Sequence, residues 1–566
     1  MEATKHMPLT LAEACRLIGR FLKPETGFIW TAVVYGIAVA LLGLAVPVSV
    51  QLLINSVANT ALPAPLFVLS GLLLGLLLAA ALLSAARIYV LALFERRVFA
   101  RTVADISLRA LHAKNPHFDD ARRGDLFNRF FDLMTVQKAV PHLLVGGFAI
   151  LLQSGIGLVL TSFYHPFFLA FNVVVAAVLI GIAFLWAGPA VRSGAALSHA
   201  KHETARWLES LGVSNGFYGH GGRLTTALAR SEALTATYAK MHRRHFHHTF
   251  AQTIGFLMVY AVASAGLLAM GGWLILQGQL SLGQLVAAEL VLSSAFYGIS
   301  QLGSHARTFY DLVAALHELS LFERIEQADG DGWNGPGPAN GNLRLRDVEL
   351  DGLRFNIAVE GGEILAVAAD EGVERALAAL IERRARPERG SVMVGGADIA
   401  AFGPEGLRSE ILVLDRPTLA ETTIREHLSG GDVSSPARIH ECLERVGLAE
   451  RVRSLPSGLD TPLFASGSPL STGEAVALKL AAALLRPPKL VVLSTLVDLL
   501  PPDRVTAALV GFREEGTTVL HVTQRPPLPV HDDQIKLGSD GYERIVDRDD
   551  QLGPSVLRER THAVAA

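Results

Sequence analysis

Four short stretches carry side chains whose types and spacing could do chemistry. "HRRHFHH", His242 to His248, offers imidazoles at helical spacing, a pattern that can hold a metal or sense pH. No cysteine or carboxylate interleaves with it, so a basic helix at the headgroup level is the favoured reading and no metal site is expected. "DDARRGD", from Asp119, sets paired carboxylates beside arginines, as acid/base work or a docking surface would. "LSTGE", Leu470 to Glu474, puts a serine three residues before a glutamate at a helix start. That is a capping box, and its free N–H groups also suit a phosphate. The apolar run "LVVLSTLVDLLPP", Leu490 to Pro502, stops on Ser494 and Thr495. Neither hydroxyl is a useful proton acceptor near pH 7, and neither balances a divalent cation.

The elements that must position these residues fall into two classes. The chain has 566 residues, more than one core usually supports. Half of them are hydrophobic, 18% are charged and the mean hydropathy is +0.36, too apolar for an ordinary soluble enzyme. A net charge of −3 gives no reason to expect nucleic acid as a partner, and two distant cysteines, Cys15 and Cys442, give no disulfide framework. Residues 1–27 read as a cytoplasmic amphipathic lead-in helix. Long apolar runs follow at Phe28–Val50, Leu66–Leu93, Pro141–Phe163, Pro166–Trp186, Phe250–Leu276 and Gln284–Gly303. Each is long enough for a helix to cross a hydrocarbon core of ~30 Å. The two long connections carry Arg96, Arg97, Arg101, Arg122 and Arg123, then Arg192, Lys201, Arg206, Lys240, Arg243 and Arg244. An excess of cations places those segments, and the N-terminus with them, in the cytoplasm.

Both long connections keep helical periodicity and break only near their middles, at "NPHFDDARRGDLFNRFFD" and "LGVSNGFYGHGGRLTTAL". They read as helical hairpins whose far ends face something soluble. The membrane domain then spans 28–326, and a Gly/Pro/Asn/Asp linker occupies 327–342. Residues 343–545 alternate apolar strands with helical stretches, as an α/β domain does, and 546–566 form a tail.

With "GGEILAV", "RPERGSVMVGGADI", "LRSEILVL", "ETTIREHLS", "LPSGLDTPL", "SPLSTGEAVALKLAAALLRPPKLVVL" and "GTTVLHVTQ" in that order, the chain resembles the exporter-type half-transporters of the ATP-binding cassette (ABC) family over nearly its whole length. The resemblance implies a membrane α-helical bundle of six transmembrane helices fused to an α/β cassette domain. It also implies where nucleotide chemistry should stand. Aligned on "GGEILAV", the phosphate loop G-x-x-G-x-G-K-[ST] becomes "AADEGVERAL": Ala369 replaces the first glycine, Glu374 the last, Arg375 the lysine, and Ala376 and Leu377 the hydroxyls. Gly372 alone survives. A carboxylate ~4 Å from a phosphate charge repels it by ~4 kcal/mol at an effective dielectric of ~20. The family's two hydrolytic carboxylates correspond to Ser494 and Thr495, its switch histidine to Gln524, its glutamine to Asp415 and a later aspartate to Pro501.

The family signature LSGGQ corresponds to Leu470, Ser471, Thr472, Gly473 and Glu474. In the family two cassettes pair head to tail, so a signature completes the other chain's nucleotide site. Loss of the phosphate loop with a partly kept signature implies the non-catalytic half of an exporter. No nucleotide is expected in the ordinary mode at its own site, no ATPase activity is expected from the chain alone, and Mg-ATP is expected at a partner's site. The family's coupling ends correspond to Phe118, Asp119, Asp120 and Gly124 in the first hairpin and Phe217 and Gly219 in the second. The expected partners are a second ABC half-transporter, a heterodimer before a homodimer, and membrane lipid, in a bacterial inner membrane. A homodimeric scaffold or regulator and an ATP-independent transporter are the alternatives. Glu289, early in the sixth span, is a further candidate because carboxylates inside membranes are usually functional.

Overall fold

The structure is a computed structural model that describes residues 10–43, 45–60, 64–113, 125–280, 282–327, 337–370, 372–430, 435–538 and 543–545. Helix α1 (Leu11–Leu22) starts at a capping box, in which the Glu13 N–H donates to Thr10 Oγ1 and the Thr10 N–H donates to Glu13 Oε2. One 3₁₀ turn, Lys23–Glu25, leads into α2 (Thr26–Gly43) and α3 (Ala45–Thr60). There follow α4 (Ala64–Leu111), α5 (Asp132–His142), α6 (Phe148–Ser162), α7 (Pro166–Val213), α8 (Arg223–Leu276) and α9 (Leu282–Leu319). Six helical stretches are long and apolar enough to cross a membrane. At 1.5 Å per residue the 48 residues of α4 and of α7 reach roughly 70 Å, over twice a hydrocarbon core. Much of each therefore stands outside the bilayer, as the polar periodic loops require.

Two span boundaries differ from the apolar runs. The first stretch continues helically through α3 to Thr60, past Val50. The third begins before Pro141, which lies inside α5, and a π-helical turn, Leu143–Gly147, separates α5 from α6. Proline has no N–H to donate to the preceding turn, and the two glycines that follow tolerate the wider winding.

Ion pairs, each with at least one buried member, tie together the polar extensions of this unit. Glu25 is buried against Arg97 (3.0 Å) and Arg101 (3.5 Å) of α4. Asp132 accepts from Lys201 and His202 of α7, both at 2.7 Å, and the Arg129 guanidinium pairs with Glu318 of α9. Within the apolar part, Phe168, Leu267, Leu292 and Phe296 form one core cluster.

The second unit begins at Gln327. Strands β1 (Leu343–Leu350) and β2 (Leu353–Val359) form a hairpin across Asp351 and Gly352, both at positive φ, and join β4 (Arg389–Val394) and β5 (Ala397–Asp398) in an antiparallel sheet of order β2-β1-β4-β5. The other sheet holds β3 (Ile364–Ala369), β6 (Ile411–Leu414), β7 (Leu490–Leu493), β8 (Thr518–Val522), β9 (Asp533–Leu537) and β10 (Glu543–Ile545) in the order β10-β9-β3-β8-β7-β6. All its pairs are parallel except β9 with β10. The strands β7 and β8 are buried at every position, as expected of a parallel sheet covered on both faces. One face packs the antiparallel sheet and α10 (Val373–Ile381); the other packs α11 (Ile424–Ser429), α12 (Thr472–Leu485) and α13 (Pro502–Glu514).

Candidate functional site

Open α/β sheets bind ligands outside the carboxyl ends of their strands. In the second unit the ends of β3, β7 and β8 gather most of the residues singled out from the sequence. After Ala369 the chain turns through Gly372, at φ 90°, into α10. That left-handed backbone is strained for any side chain, so a glycine survives here. Glu374 lies half-buried in the first helical turn. Burial pushes its carboxyl up from the usual range, while the Thr495 hydroxyl, 3.5 Å away, works against that shift. Arg375 points to solvent, Leu377 is fully buried and Ala376 packs against the same core. The positions that would carry metal-binding hydroxyls in the family are therefore apolar and bind the helix to the sheet.

At the end of β7 the Ser494 hydroxyl is also committed: it accepts from the Leu496 N–H at 3.2 Å and caps the 3₁₀ turn Thr495–Leu499. Within that turn stands a carboxylate that pattern reasoning missed, Asp498. It accepts from the Thr523 hydroxyl at 2.9 and 3.0 Å and from the Gln524 N–H at 3.3 Å, while Arg525 donates to its main-chain carbonyl. The only signal in the sequence was an acid five residues beyond a buried strand. Gln524 also reaches the other way, donating its carboxamide N–H to the Ala369 carbonyl at 3.2 Å. Beneath this loop His521 Nδ1 lies 3.1 Å from His531 Nε2. Burial first, and His531 next, push His521 down to about 4.

Asp415, just after β6, pairs with Arg384 at 2.8 Å and lies 3.6 Å from Arg416, and its charge adds to the upward push on the Glu374 carboxyl. Lys479 donates to the Arg416 carbonyl at 2.7 Å, and burial lowers its pKa. The segment Leu470–Glu474 forms the start of α12. Ser471 is the N-cap, accepting from the Glu474 N–H at 3.3 Å, and the Glu474 carboxylate accepts from the Ser471 N–H at 2.8 Å. Arg451 pairs with Glu474 at 3.2 Å and offsets its charge. Leu470 is buried, whereas Ser471 and Thr472 face solvent. Among the described residues no hydrogen bond or ion pair joins this segment to the loop after β3.

Of the hairpin residues, Phe118, Asp119, Asp120 and Gly124 lie outside the described residues. Phe217 and Gly219 stand at the turn between α7 and α8, where Arg223 lies 4.1 Å from the Phe217 ring centroid and the Gly219 N–H donates to the Asn215 carbonyl. The histidine run lies inside α8 and is split between its faces: His245 is buried beside Ser193 at 3.0 Å, and His242 is exposed. Glu289 accepts from the Ser293 hydroxyl at 2.8 Å.

Residues 29–198 match the family described as the ABC transporter transmembrane region. An ABC multidrug transporter, mdr2, of Aspergillus fumigatus is 24% identical over 523 residues, covering 85% of this chain and 64% of its own length. The ABC transporter ATP-binding protein RamA of Streptomyces coelicolor is 30% identical over 301 residues, 49% of this chain and 45% of its own. This chain thus spans less than two thirds of either relative. Among solved structures, a bacterial Atm1-family ABC exporter with ATP bound superposes with a TM-score of 0.79 at 17% identity, covering 92% of this chain and 94% of that one. With six apolar helices, a parallel-sheet domain and this match, the chain carries an ABC transporter transmembrane region, has the fold of an ABC exporter and is an integral, multi-pass membrane protein.

Proposed function

We propose that this chain is the non-catalytic half of an ABC exporter, paired with an ATPase-competent half and moving a lipid, peptide or other amphipathic substrate outward. The reading rests on one observation: Glu374, in the turn that would receive phosphate, and Thr495, where a hydrolytic carboxylate would stand, meet each other through a 3.5 Å hydrogen bond. Mg-ATP does not fit such a site. The turn presents a carboxylate to the phosphates, Ala376 and Leu377 offer no oxygen to a cation, and Ser494 spends its hydroxyl on a cap. No step is assigned to nucleotide bound here. On this reading Mg-ATP sits at the partner's phosphate loop, and the solvent-facing Ser471 and the N–H groups opening α12 complete that site from across the dimer.

A second reading has its own support. The capping box at Ser471 and the Arg451–Glu474 pair give "LSTGE" a local purpose that needs no phosphate, as a homodimeric scaffold or regulator would require. Purification of the chain from its native membrane decides between them. The proposal expects a co-purifying half-transporter with an intact phosphate loop, ATPase activity in the pair and none in this chain alone. A homodimer with no such partner sinks it, as does turnover by the isolated chain.

A further inference from the structure

Arg87 is a cation inside an apolar run. It lies in the second span, nine residues before Arg96, roughly 13 Å along α4 from the first cytoplasmic arginines. Its side chain is buried in the bundle: only 5% of the residue is exposed, and its Nε and Nη1 make no hydrogen bond among the described residues. Arg129, as deeply buried in this unit, has Glu318 as its partner, and even the part-exposed Arg101 has Glu25 and the Phe21 carbonyl. A guanidinium out of water with no counter-charge is costly, and charges at such positions are kept for what they bind.

The surroundings of Arg87 are shaped for it. A Cβ built on Gly36 of α2 would come 3.3 Å from Arg87 Nη1 and 3.5 Å from the Phe148 ring, so the missing side chain is what lets the guanidinium lie between α2 and α6. Phe148 directly follows the π-helical turn Leu143–Gly147. On Gly146 and Gly147 of that turn rests the ring of His305, which is 8% exposed and whose Nδ1 is likewise buried without a hydrogen bond. Unbonded nitrogens of Arg87, beside Phe148, and of His305, whose ring also packs on His142 at 4.7 Å, thus stand near one irregular turn, and π-helical turns concentrate at functional sites.

We propose that Arg87 is the recognition point for an oxyanion, a phosphate or carboxylate, carried by an amphipathic ligand in the membrane domain, with His305 a second polar contact on the far side of the turn. The planar fork of arginine matches two oxygens of such a group at once, and the apolar walls of the bundle suit its chain. That the ligand is cargo rests on the exporter reading; that the site binds an oxyanion does not.

The test uses the full chain in an uncharged maltoside micelle, with dodecyl phosphate as the probe, dodecanol as its uncharged counterpart and inorganic phosphate as a competitor. Wild type should bind dodecyl phosphate saturably and gain thermal stability from it. Arg87→Met should lose about ten- to hundred-fold in affinity, the range expected when a charge-assisted hydrogen bond disappears. Without ligand it should melt no lower than wild type, since it removes an unpaired charge. Arg87→Lys should fold and bind at an intermediate level, which keeps the test open if the methionine variant does not fold. Competition by inorganic phosphate assigns the site to a free oxyanion, and its failure to compete assigns it to the amphiphile. Equal affinity of wild type and Arg87→Met, or equal binding of dodecanol, overturns the proposal. So does a ligand-free Arg87→Met that melts lower and no longer assembles, which would make Arg87 the counter-charge of another chain. Binding of the probe needs neither partner nor ATP, so its failure leaves the proposed pairing untouched, and ATP turnover by the isolated chain would leave Arg87 untouched.

Discussion

Gln524 bonds to the main chain of Ala369 at 3.2 Å, linking the loop after β8 directly to the end of β3. Asp498 holds the same loop from the other side through Thr523 and the Gln524 N–H. The three strand ends are therefore tied to one another by protein groups.

From this follows an ordering of substitutions by their effect on nucleotide affinity. Thr495→Glu alone should change nothing, because a carboxylate has no phosphate or water to act on. Glu374→Gly should raise ATP affinity most, since it removes a repulsion of about 4 kcal/mol at ~4 Å and an effective dielectric of ~20. Burial raises the Glu374 pKa, so the wild-type penalty should also shrink as pH falls and the carboxyl is protonated. Equilibrium dialysis with labelled ATP and Mg²⁺ measures both. A Thr495→Glu gain equal to that of Glu374→Gly would contradict the assignment of Glu374 as the main obstacle.

His521 makes the second unit sensitive to acid. Its folded pKa, about 4, lies below the usual 6.5, so between those values the unfolded chain binds a proton that the folded chain refuses. Stability from this group is present above pH 6.5 and is lost as pH falls toward about 4, on the order of 3 kcal/mol at most. His531, Asp498 and Arg525 face the ring and set the outcome together. His521→Asn should flatten the dependence of thermal stability on pH between 6.5 and 4 in the full chain; an unchanged slope would place the acid sensitivity elsewhere.

The Arg129–Glu318 pair, 7% and 2% exposed, ties the 3₁₀ turn before α5 to α9. Removing one member should cost far more than removing both. Glu318→Ala leaves a buried guanidinium without this partner, and such changes cost about 3–5 kcal/mol, whereas Arg129→Met with Glu318→Leu should recover most of the loss. Thermal unfolding of the purified variants reads this directly. A double variant as unstable as the single one would show that Arg129 depends on its other contacts instead.

The fold was legible because its signals are long. Twenty-residue apolar runs and ordered cassette fragments survive averaging over many positions. What escaped depends on single residues in three dimensions. Arg87 vanished inside a run whose neighbours are almost all apolar, and nothing local says that it stays inside while Arg96 and Arg97 come out. The helix that continues to Thr60 passes through polar residues after Val50, among them Gln51, Asn55 and Ser56, that read as an end. Asp498 carries no motif, and its weight comes from a loop 25 residues later in sequence that folds onto it. Ser471 and Glu474 were legible as a cap and as a phosphate contact at once, since both uses want the same residues at a helix start.

That ambiguity yields to one substitution, because capping and phosphate contact respond differently to charge. Aspartate caps helices as well as serine does, and at Ser471 it would keep the acceptor for the Glu474 N–H, so Ser471→Asp should leave stability within about 0.5 kcal/mol of wild type. Ser471→Ala should lose the cap, about 1 kcal/mol. If the segment meets the partner's nucleotide, the same aspartate sets a negative charge against a phosphate, a repulsion of up to about 4 kcal/mol at ~4 Å. ATP hydrolysis by the reconstituted pair should then fall by roughly a hundred-fold or more, while Ser471→Ala, which loses one hydrogen bond, should lower it about ten-fold. Arg451→Gln offers the complementary change: it frees the Glu474 charge that Arg451 now offsets at 3.2 Å, and it should slow the partner without touching the signature backbone. Under a purely structural role for "LSTGE" the order reverses, with Ser471→Ala the more damaging variant and Ser471→Asp silent. Measuring unfolding and ATPase on the same preparations separates the two, and an unaltered rate in Ser471→Asp would leave this segment as a helix cap alone.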